Sequence, residues 1–325
     1  MLTDAAAFDF PTTVSRGTDM SASRSGTRSG HHVFAPLAPV QVERGSRTFL
    51  AEWHEAIGKA DPPGAGVVDA MQVLRRPIAR ATCAAVLDDA TVSDRDVVAD
   101  QVLAWIDALG PVISRRRNPG PWSRVRRQEV RVRLGLEATL ATVLPGCGIS
   151  ETPQVVATFL AAGVQVPIAA GAWLLVLLAA TPDRGSDLDH VVWETLRVAP
   201  PTWLTARVTT TTVTLAGREL PAGEVVLVSP LLLGRLPGLV PASTADVATF
   251  DPGRWCDEDR KPGAWLPFGA GAHACPGRTL GLRVLRDLAA WADRHELGLT
   301  EHVGIDQSRG ILPSPAHVSY SSRTQ

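Results

Sequence analysis

Apolar residues recur at helical spacing through much of the chain. Phe49, Trp53 and Ile57 fall on one face of a helix. A second apolar stripe follows Ser93, whose short polar side chain, with acidic residues just after it, is typical of a helix start. That stripe consists of Val98, Val102, Trp105, Ile106 and Leu109. These positions predict two amphipathic helices, each with one buried face.

The same period predicts four further helices. They cover residues 67–87 (interrupted or started afresh near Pro77), 128–144, 187–197, and Leu280 to about Arg294. The last of them carries a stripe of Leu285, Leu288, Ala289 and Ala292. Pro-Gly or Pro-Pro pairs follow residues 144 and 199, where they would stop a helix.

Strand patterns are concentrated in one region. Residues 207–215 are β-branched, Ala216-Gly217 is a turn, and residues 224–229 form a second apolar run. Residues 230–264 are proline-rich and predict an irregular meander, whereas the last thirty residues resemble short strands and turns. The predicted fold class is therefore mainly α with a small β portion. We expect one large domain over 31–325, preceded by a poorly ordered segment at 1–30 that is rich in Ser, Thr, Gly and Arg.

One segment, residues 155–180, has no charged residue and is long enough to span a bilayer. The competing interpretation is a helix that is apolar all round because it crosses the middle of a large helical domain. Gln165, Pro167 and the absence of an aromatic belt or a positive flank favour the buried helix. We therefore expect no membrane contact.

Composition narrows the class of protein. The formal net charge is −1, which argues against a nucleic-acid partner. The four cysteines, Cys83, Cys147, Cys256 and Cys275, form no CxxC pair and have no zinc-type spacing. The N-terminus lacks a charged region followed by an apolar run, so the sequence predicts no signal peptide and a reducing, cytoplasmic location.

The densest chemical pattern is Phe268-x-x-Gly271-x-His273-x-Cys275-x-Gly277, just before an apolar helical run. Glycines at this density let the backbone approach a flat ligand closely. The alternative is a buried structural cysteine beside a helix N-terminus. The pattern resembles the haem-binding loop of the cytochrome P450 family, whose cysteine thiolate is the axial ligand of haem iron.

The resemblance implies a role for several residues. Cys275 would ligate the iron of haem b, and Phe268, Gly271, His273 and Gly277 would shape the cofactor loop. Arg207 and His273 would contact a haem propionate. Glu194-x-x-Arg197 and Phe250-Asp-Pro-Gly-Arg254 resemble the segments that form a structural Glu-Arg-Arg cluster in the family.

The long apolar helix departs from the family pattern. Family members with ordinary oxygen activation carry Ala-Gly-x-Asp/Glu-Thr there, and the acid and alcohol supply protons. Here Ala162-Gly163 is followed by Gln165 in place of the acid and Val166 in place of the threonine. Glutamine forms hydrogen bonds but does not titrate. Pro167 predicts a kink close by.

The N-terminus also departs. Residues 1–8 resemble the stretch that follows the family's first β-hairpin, so the first helix and that hairpin are expected to be missing, either truly or through a mis-assigned start. Where the family carries His-x-x-x-Arg, a loose alignment places Thr27 and His31.

The resemblance implies a haem-thiolate oxidoreductase acting on a small organic substrate. It would be monooxygenase-type, with an external ferredoxin/reductase supplying electrons, or a peroxide-driven or non-hydroxylating variant that needs no proton relay. The alternative of another class is a catalytically degenerate, P450-like binding or helper subunit. The chain has no HExxH, P-loop or G-x-S-x-G with triad candidates.

Overall fold

The computed structural model describes residues 8–9, 35–58, 64–115, 117, 119–181, 187–241, 243–256, 265–271 and 274–323. Helices dominate these ranges: α1 (Pro39–Gly58), α2 (Ala70–Val73), α3 (Arg75–Val86), α4 (Val92–Ile113), α5 (Arg124–Val143), α6 (Pro153–Ala180), α7 (Leu188–Val198), α8 (Pro230–Leu233) and α9 (Arg278–Asp293). This mainly helical architecture confirms the predicted fold class.

Four small antiparallel sheets complete the described chain. Their strands are β1 (Phe8–Asp9), β2 (Ala65–Asp69), β3 (Thr205–Thr209), β4 (Val213–Leu215), β5 (Arg218–Leu220), β6 (Val225–Val228), β7 (His295–Leu299), β8 (Gly304–Asp306), β9 (Leu312–Ser314) and β10 (His317–Ser322). The two three-stranded sheets have the orders β1-β3-β6 and β2-β10-β7, and β4-β5 and β8-β9 are hairpins. Apart from β1, the segment expected to be poorly ordered, 1–30, lies outside the described residues.

Helix α6 is the centre of the core. Its C-terminal half is buried, with Leu174 and Leu175 fully inaccessible to solvent. Gly171 lets neighbouring helices approach closely, since a Cβ there would lie 2.9 Å from Leu74 Cδ1 and 3.2 Å from Leu288 Cδ2 on α9. This is the one described helix that is long and apolar enough to cross a membrane, and 67% of its most apolar window is buried inside the protein. It therefore packs as an interior helix, and it continues unbroken through Pro167.

Three local predictions are wrong. Residues 67–69 belong to strand β2, because Val67 and Val68 pair with β10 rather than continuing a helix. The predicted strand 207–215 is two strands, β3 and β4, since the pairing of β3 with β6 extends only over Thr205–Val208. The start of α4 is capped by Thr91, which accepts a hydrogen bond from the Asp94 N–H, and Ser93 lies within the helix.

The predicted buried faces are confirmed. Phe49 and Trp53 on α1 are fully buried, as are Val98 and Val102 on α4. On α9, Leu285, Leu288, Ala289 and Ala292 face the core. Helices α7 and α9 both pack on α6. The segments that carry the chemical motifs are therefore joined to one core.

Candidate haem site

Main-chain hydrogen bonds close the cysteine loop, residues 268–277. The N–H of Cys275 donates to the carbonyl of Phe268 at 2.8 Å, and the N–H of Ala274 donates to Gly271 at 3.0 Å. Gly269 and Gly271 have φ values of 66° and 74°, in the left-handed region that glycine adopts without strain. Helix α9 begins directly after Gly277. The loop thus presents Cys275 at the start of a core helix.

Cys275 is exposed, although protein atoms surround part of its side chain. Desolvation by those atoms raises the pKa of the Cys275 thiol, and a hydrogen bond from the Gly277 main chain acts in the opposite direction. A Cβ on Gly277 would lie 3.9 Å from the Cys275 sulfur, at ordinary contact distance, so Gly277 is a direct neighbour of the thiol. The thiol is available to a ligand that approaches from outside the loop.

Phe268 supports this loop from the side. Its ring lies 6.3 Å from that of Trp265, and the guanidinium of Arg278 sits 5.9 Å from the ring centroid. The Phe268 ring also lies beside Gly281 on α9, since a Cβ there would be 3.5 Å from Phe268 Cε1. The predicted propionate contact His273 lies outside the described residues, as do Thr27 and His31.

Glu194 is the centre of a buried ion cluster. Its carboxylate accepts two hydrogen bonds from Arg197, at 2.6 and 2.7 Å, and lies 3.4 Å from Arg254 Nε. All three side chains are almost completely inaccessible to solvent. The structure therefore brings together Glu194, Arg197 and Arg254 as the sequence predicted.

The arginines extend this cluster into the irregular segment 234–249. Arg197 donates to the carbonyls of Gly234, Val247 and Thr249. Each interaction fixes a chain segment that has almost no regular secondary structure of its own. The cluster is structural, because its polar groups bind one another and the main chain.

Sequence reasoning missed a third partner of Glu194. The indole N–H of Trp255 donates to Glu194 Oε2 at 2.9 Å. The Trp255 ring lies 5.7 Å from Trp193 and 6.1 Å from Trp265, both in edge-to-face geometry. Trp265 in turn packs on Phe268. This chain of rings links the ion cluster to the cysteine loop. The tryptophans at positions 193, 255 and 265 were the feature of the sequence that could have indicated this contact.

Arg207 lies on β3 in register with Val226 of β6. Its guanidinium is half-buried, and desolvation lowers the pKa of Arg207. One Nη1 hydrogen bond goes to the carbonyl of Ala206 at 2.9 Å. A half-buried cation of this kind suits a carboxylate ligand.

On α6 the two substituted positions lie on a partly exposed turn. Val166 is 37% exposed, and Ala162, one turn earlier, is exposed as well. Gln165 is half-buried beside them. Ala162 and Val166 thus give this turn an exposed apolar surface that a flat apolar ligand could cover. No hydroxyl or carboxylate occupies either position.

The donor set fits a haem with an axial thiolate. An accessible thiol, a half-buried guanidinium and an open apolar helix face match the iron, the propionates and the ring of that cofactor in their chemistry.

Comparison with known proteins agrees with this assignment. The family model described as "Cytochrome P450" matches residues 187–286. Cyclooctatin synthase of Streptomyces melanosporofaciens is 34% identical over 159 residues, which are 41% of this chain and 34% of that protein. Cyclooctat-9-en-7-ol 5-monooxygenase of the same organism is 34% identical over 164 residues, 42% of this chain and 35% of that protein. The match thus spans about a third of the length of these curated relatives.

Solved structures extend the likeness in fold. CYP175A1 of Thermus thermophilus superposes with a TM-score of 0.69 at 20% identity, covering 89% of this chain and 75% of that one. A cytochrome P450DA mutant haem domain gives a TM-score of 0.70 at 18% identity, covering 99% and 84%. The sequence match to the cytochrome P450 family over residues 187–286 contains Glu194, Arg197, Arg254 and Cys275, and the chain shares the fold of solved cytochrome P450 structures.

Proposed function

We propose that the protein is a haem-thiolate oxidoreductase of the monooxygenase type that acts on a small organic substrate. The observation that carries the proposal is the exposed Cys275 thiol on a glycine-rich loop at the start of α9. One relative is named as a 5-monooxygenase, which supports the same class of reaction. The chain aligns with only 35% of that relative, so its substrate does not transfer.

The roles of the binding residues follow from their chemistry. Cys275, once deprotonated, would ligate the iron, and Arg207 would pair with a propionate carboxylate. The carbonyls of Phe268 and Gly271 accept the main-chain hydrogen bonds that close the loop, and Gly277 lies beside the thiol. A thiolate-bound haem supplies the redox chemistry of oxygen or peroxide activation when it is bound. A reducing, cytoplasmic location would keep Cys275 free for this role.

Proton supply distinguishes the variants of this function. The amide of Gln165 can donate or accept a hydrogen bond but carries no titratable proton near neutral pH, and Val166 has no polar atom. These positions therefore cannot deliver protons as an acid and an alcohol would. This favours a reaction driven by peroxide, or a non-hydroxylating rearrangement or coupling. Alternatively, water or the substrate would supply the protons. With molecular oxygen as the oxidant, electrons would come from an external ferredoxin/reductase.

The first experiment tests the ligand. Purified haem-loaded protein, reduced and exposed to carbon monoxide, should give the strongly red-shifted Soret band of thiolate-bound haem. Cys275→Ala should lose this band, whereas Cys256→Ala, which removes the other exposed cysteine, should keep it. A band that persists in Cys275→Ala would overturn the assignment. Its absence from the unmodified protein would instead favour a degenerate binding or helper subunit.

The second experiment tests the proton argument. Turnover of a model substrate is compared with peroxide and with NAD(P)H plus a surrogate ferredoxin/reductase, before and after Val166→Thr with Gln165→Asp. We expect peroxide to support the unmodified protein better, and the double variant to gain mainly in the NAD(P)H-driven reaction. Fast and tightly coupled NAD(P)H-driven turnover in the unmodified protein would contradict the inference from Gln165 and Val166.

A further inference from the structure

The turn of α6 that carries Gln165 and Val166 lacks one main-chain donor. Pro167 has no N–H, so it cannot donate to the carbonyl four residues earlier, which belongs to Gly163. Helix α6 nevertheless continues through this turn. An unpaired carbonyl inside a protein costs free energy, so the source of its replacement donor matters.

The donor comes from another helix. The hydroxyl of Thr82, on α3, donates to the Gly163 carbonyl at 3.1 Å. Thr82 is only 7% exposed, so water does not readily replace it. Gly163 also permits this approach, because a Cβ there would lie 3.2 Å from the Thr82 methyl group. The contact thus combines a polar bond with close packing of α3 on α6.

The hydrogen bond of the Thr82 hydroxyl differs from those of other helical threonines in the same protein. A helical threonine commonly bonds the carbonyl one turn earlier in its own helix. Thr48, Thr158 and Thr195 do so here, at 3.0, 2.9 and 2.9 Å. Their acceptor carbonyls also have the ordinary main-chain N–H available, since the residue four positions later is the threonine itself. The Thr82 hydroxyl instead donates to the Gly163 carbonyl, which has no main-chain donor at position 167 because that residue is proline.

We propose that Thr82 is a positioning residue that replaces the donor missing at Pro167 and holds the 163–167 turn, with Gln165 and Val166, in place beside the haem. The functional part of this inference rests on the haem site proposed above. Thr82 acts through the carbonyl of Gly163 and not through contact with cofactor or substrate. The position of this turn therefore depends on α3 as well as on α6.

A double-mutant cycle isolates this pairing. The four proteins are the unmodified chain, Thr82→Val, Pro167→Ala and the combination. Valine keeps the shape of threonine without its hydroxyl, and replacing the proline by alanine restores an N–H to the helix. In the unmodified background Thr82→Val should raise the unfolding equilibrium constant about tenfold. In the Pro167→Ala background the effect should fall below about threefold, because the restored N–H can serve the Gly163 carbonyl.

Two controls separate positioning from general destabilisation. Thr82→Ser keeps the hydroxyl and should remain close to the unmodified protein. Thr195→Val removes a fully buried hydroxyl whose acceptor, the Val191 carbonyl, keeps its main-chain donor, so its effect should be smaller than that of Thr82→Val. Equal effects of Thr82→Val in both backgrounds would overturn the proposal.

The effect of Thr82 on the haem site is measured by absorption spectroscopy. Imidazole binding to the haem-loaded proteins is followed by the shift of the Soret band. Thr82→Val should change the dissociation constant by about threefold or more, and Pro167→Ala should largely remove that sensitivity. An unchanged constant in Thr82→Val would show that the turn is not held for the haem site. If no variant binds haem through a thiolate, the proposed function fails while the unfolding cycle still decides the Thr82–Pro167 pairing.

Discussion

At the scale of single residues, Glu194 is the most constrained side chain of the site. It is fully buried and accepts hydrogen bonds from five N–H groups: two of Arg197, one each of Arg254 and Trp255, and the main chain of Asp251. A buried charge is tolerated only when its partners replace the lost water so completely. Removing the charge of Glu194 would leave the buried arginines without a partner of opposite charge.

Glu194→Gln should therefore lower the free energy of unfolding by about 3–5 kcal/mol, because a neutral amide leaves the buried Arg197 and Arg254 without a counter-charge. Glu219→Gln is the matched control, since Glu219 is exposed on β5, and it should change stability by less than about 0.5 kcal/mol. Urea denaturation followed by circular dichroism measures both. Similar losses in the two variants would contradict the ion-cluster role.

The four cysteines should differ sharply in reactivity. Complete burial raises the pKa of the Cys83 thiol to about 12, and burial also raises that of Cys147. Cys256 and Cys275 are exposed, so the reagent can reach both sulfur atoms, although partial desolvation also raises the pKa of the Cys275 thiol. Because the thiolate is the reactive form, iodoacetamide at a pH of about 8 should modify Cys256 and Cys275 but spare Cys83 and Cys147 in haem-free native protein.

Haem loading should then protect Cys275 alone. Peptide mass spectrometry after a timed pulse gives the extent of modification at each position. Cys256 is the internal control, since nothing in the proposed site covers it. Equal labelling of Cys275 with and without haem would count against ligation by this thiol.

At the scale of elements, the sequence predicts helices well where a long apolar period exists. The faces of α1 and α9 are examples, because several residues in each repeat the same spacing. Strand β2 was missed because its five residues are too short to show a period and their partners lie on β10, at the far end of the chain. The threonine run at 209–212 similarly gives no indication of where pairing with β6 stops.

The same limit applies to the site. Cys275 and the Glu194–Arg197–Arg254 cluster could be predicted, because each lies within a compact motif. The Trp255–Glu194 bond joins residues 61 positions apart, and the Thr82–Gly163 bond joins residues 81 positions apart. No local pattern encodes such pairs. Only the folded chain shows that Thr82 faces the carbonyl freed by Pro167.

Two helix glycines should respond in opposite directions to the same substitution. Gly171→Ala places a methyl group 2.9 Å from Leu74 Cδ1, so it should destabilise the protein by about 1–3 kcal/mol through overpacking of α6. Gly135→Ala, on the exposed face of α5 with no atom within 4 Å of the new Cβ, should stabilise by roughly 0.5–1 kcal/mol. Thermal unfolding measures both signs. A stabilising Gly171→Ala would show that α6 packs less tightly than a 2.9 Å contact requires.

At the scale of the whole molecule, the proposed haem contacts come from parts of the chain that are distant in sequence. Cys275 precedes α9, Arg207 lies on β3, and Ala162 and Val166 lie on α6. Contacts between α6 and α9 join two of these parts in the core. A ligand that bridges all three should bind the folded chain and not the unfolded chain. Its binding free energy then adds to the stability of the fold.

Haem should accordingly raise the thermal midpoint. At a free concentration one hundred times its dissociation constant, a ligand that binds only the native state adds about 2.7 kcal/mol. For a chain of this size such a gain corresponds to a shift of roughly 4 °C. Cys275→Ala removes the axial ligand but leaves Arg207 and the α6 face, so it should keep a smaller shift at the same haem concentration. The midpoint is followed by circular dichroism with and without haem. An equal shift in Cys275→Ala would mean that the stabilisation comes from the other contacts, and that the thiol does not hold the iron.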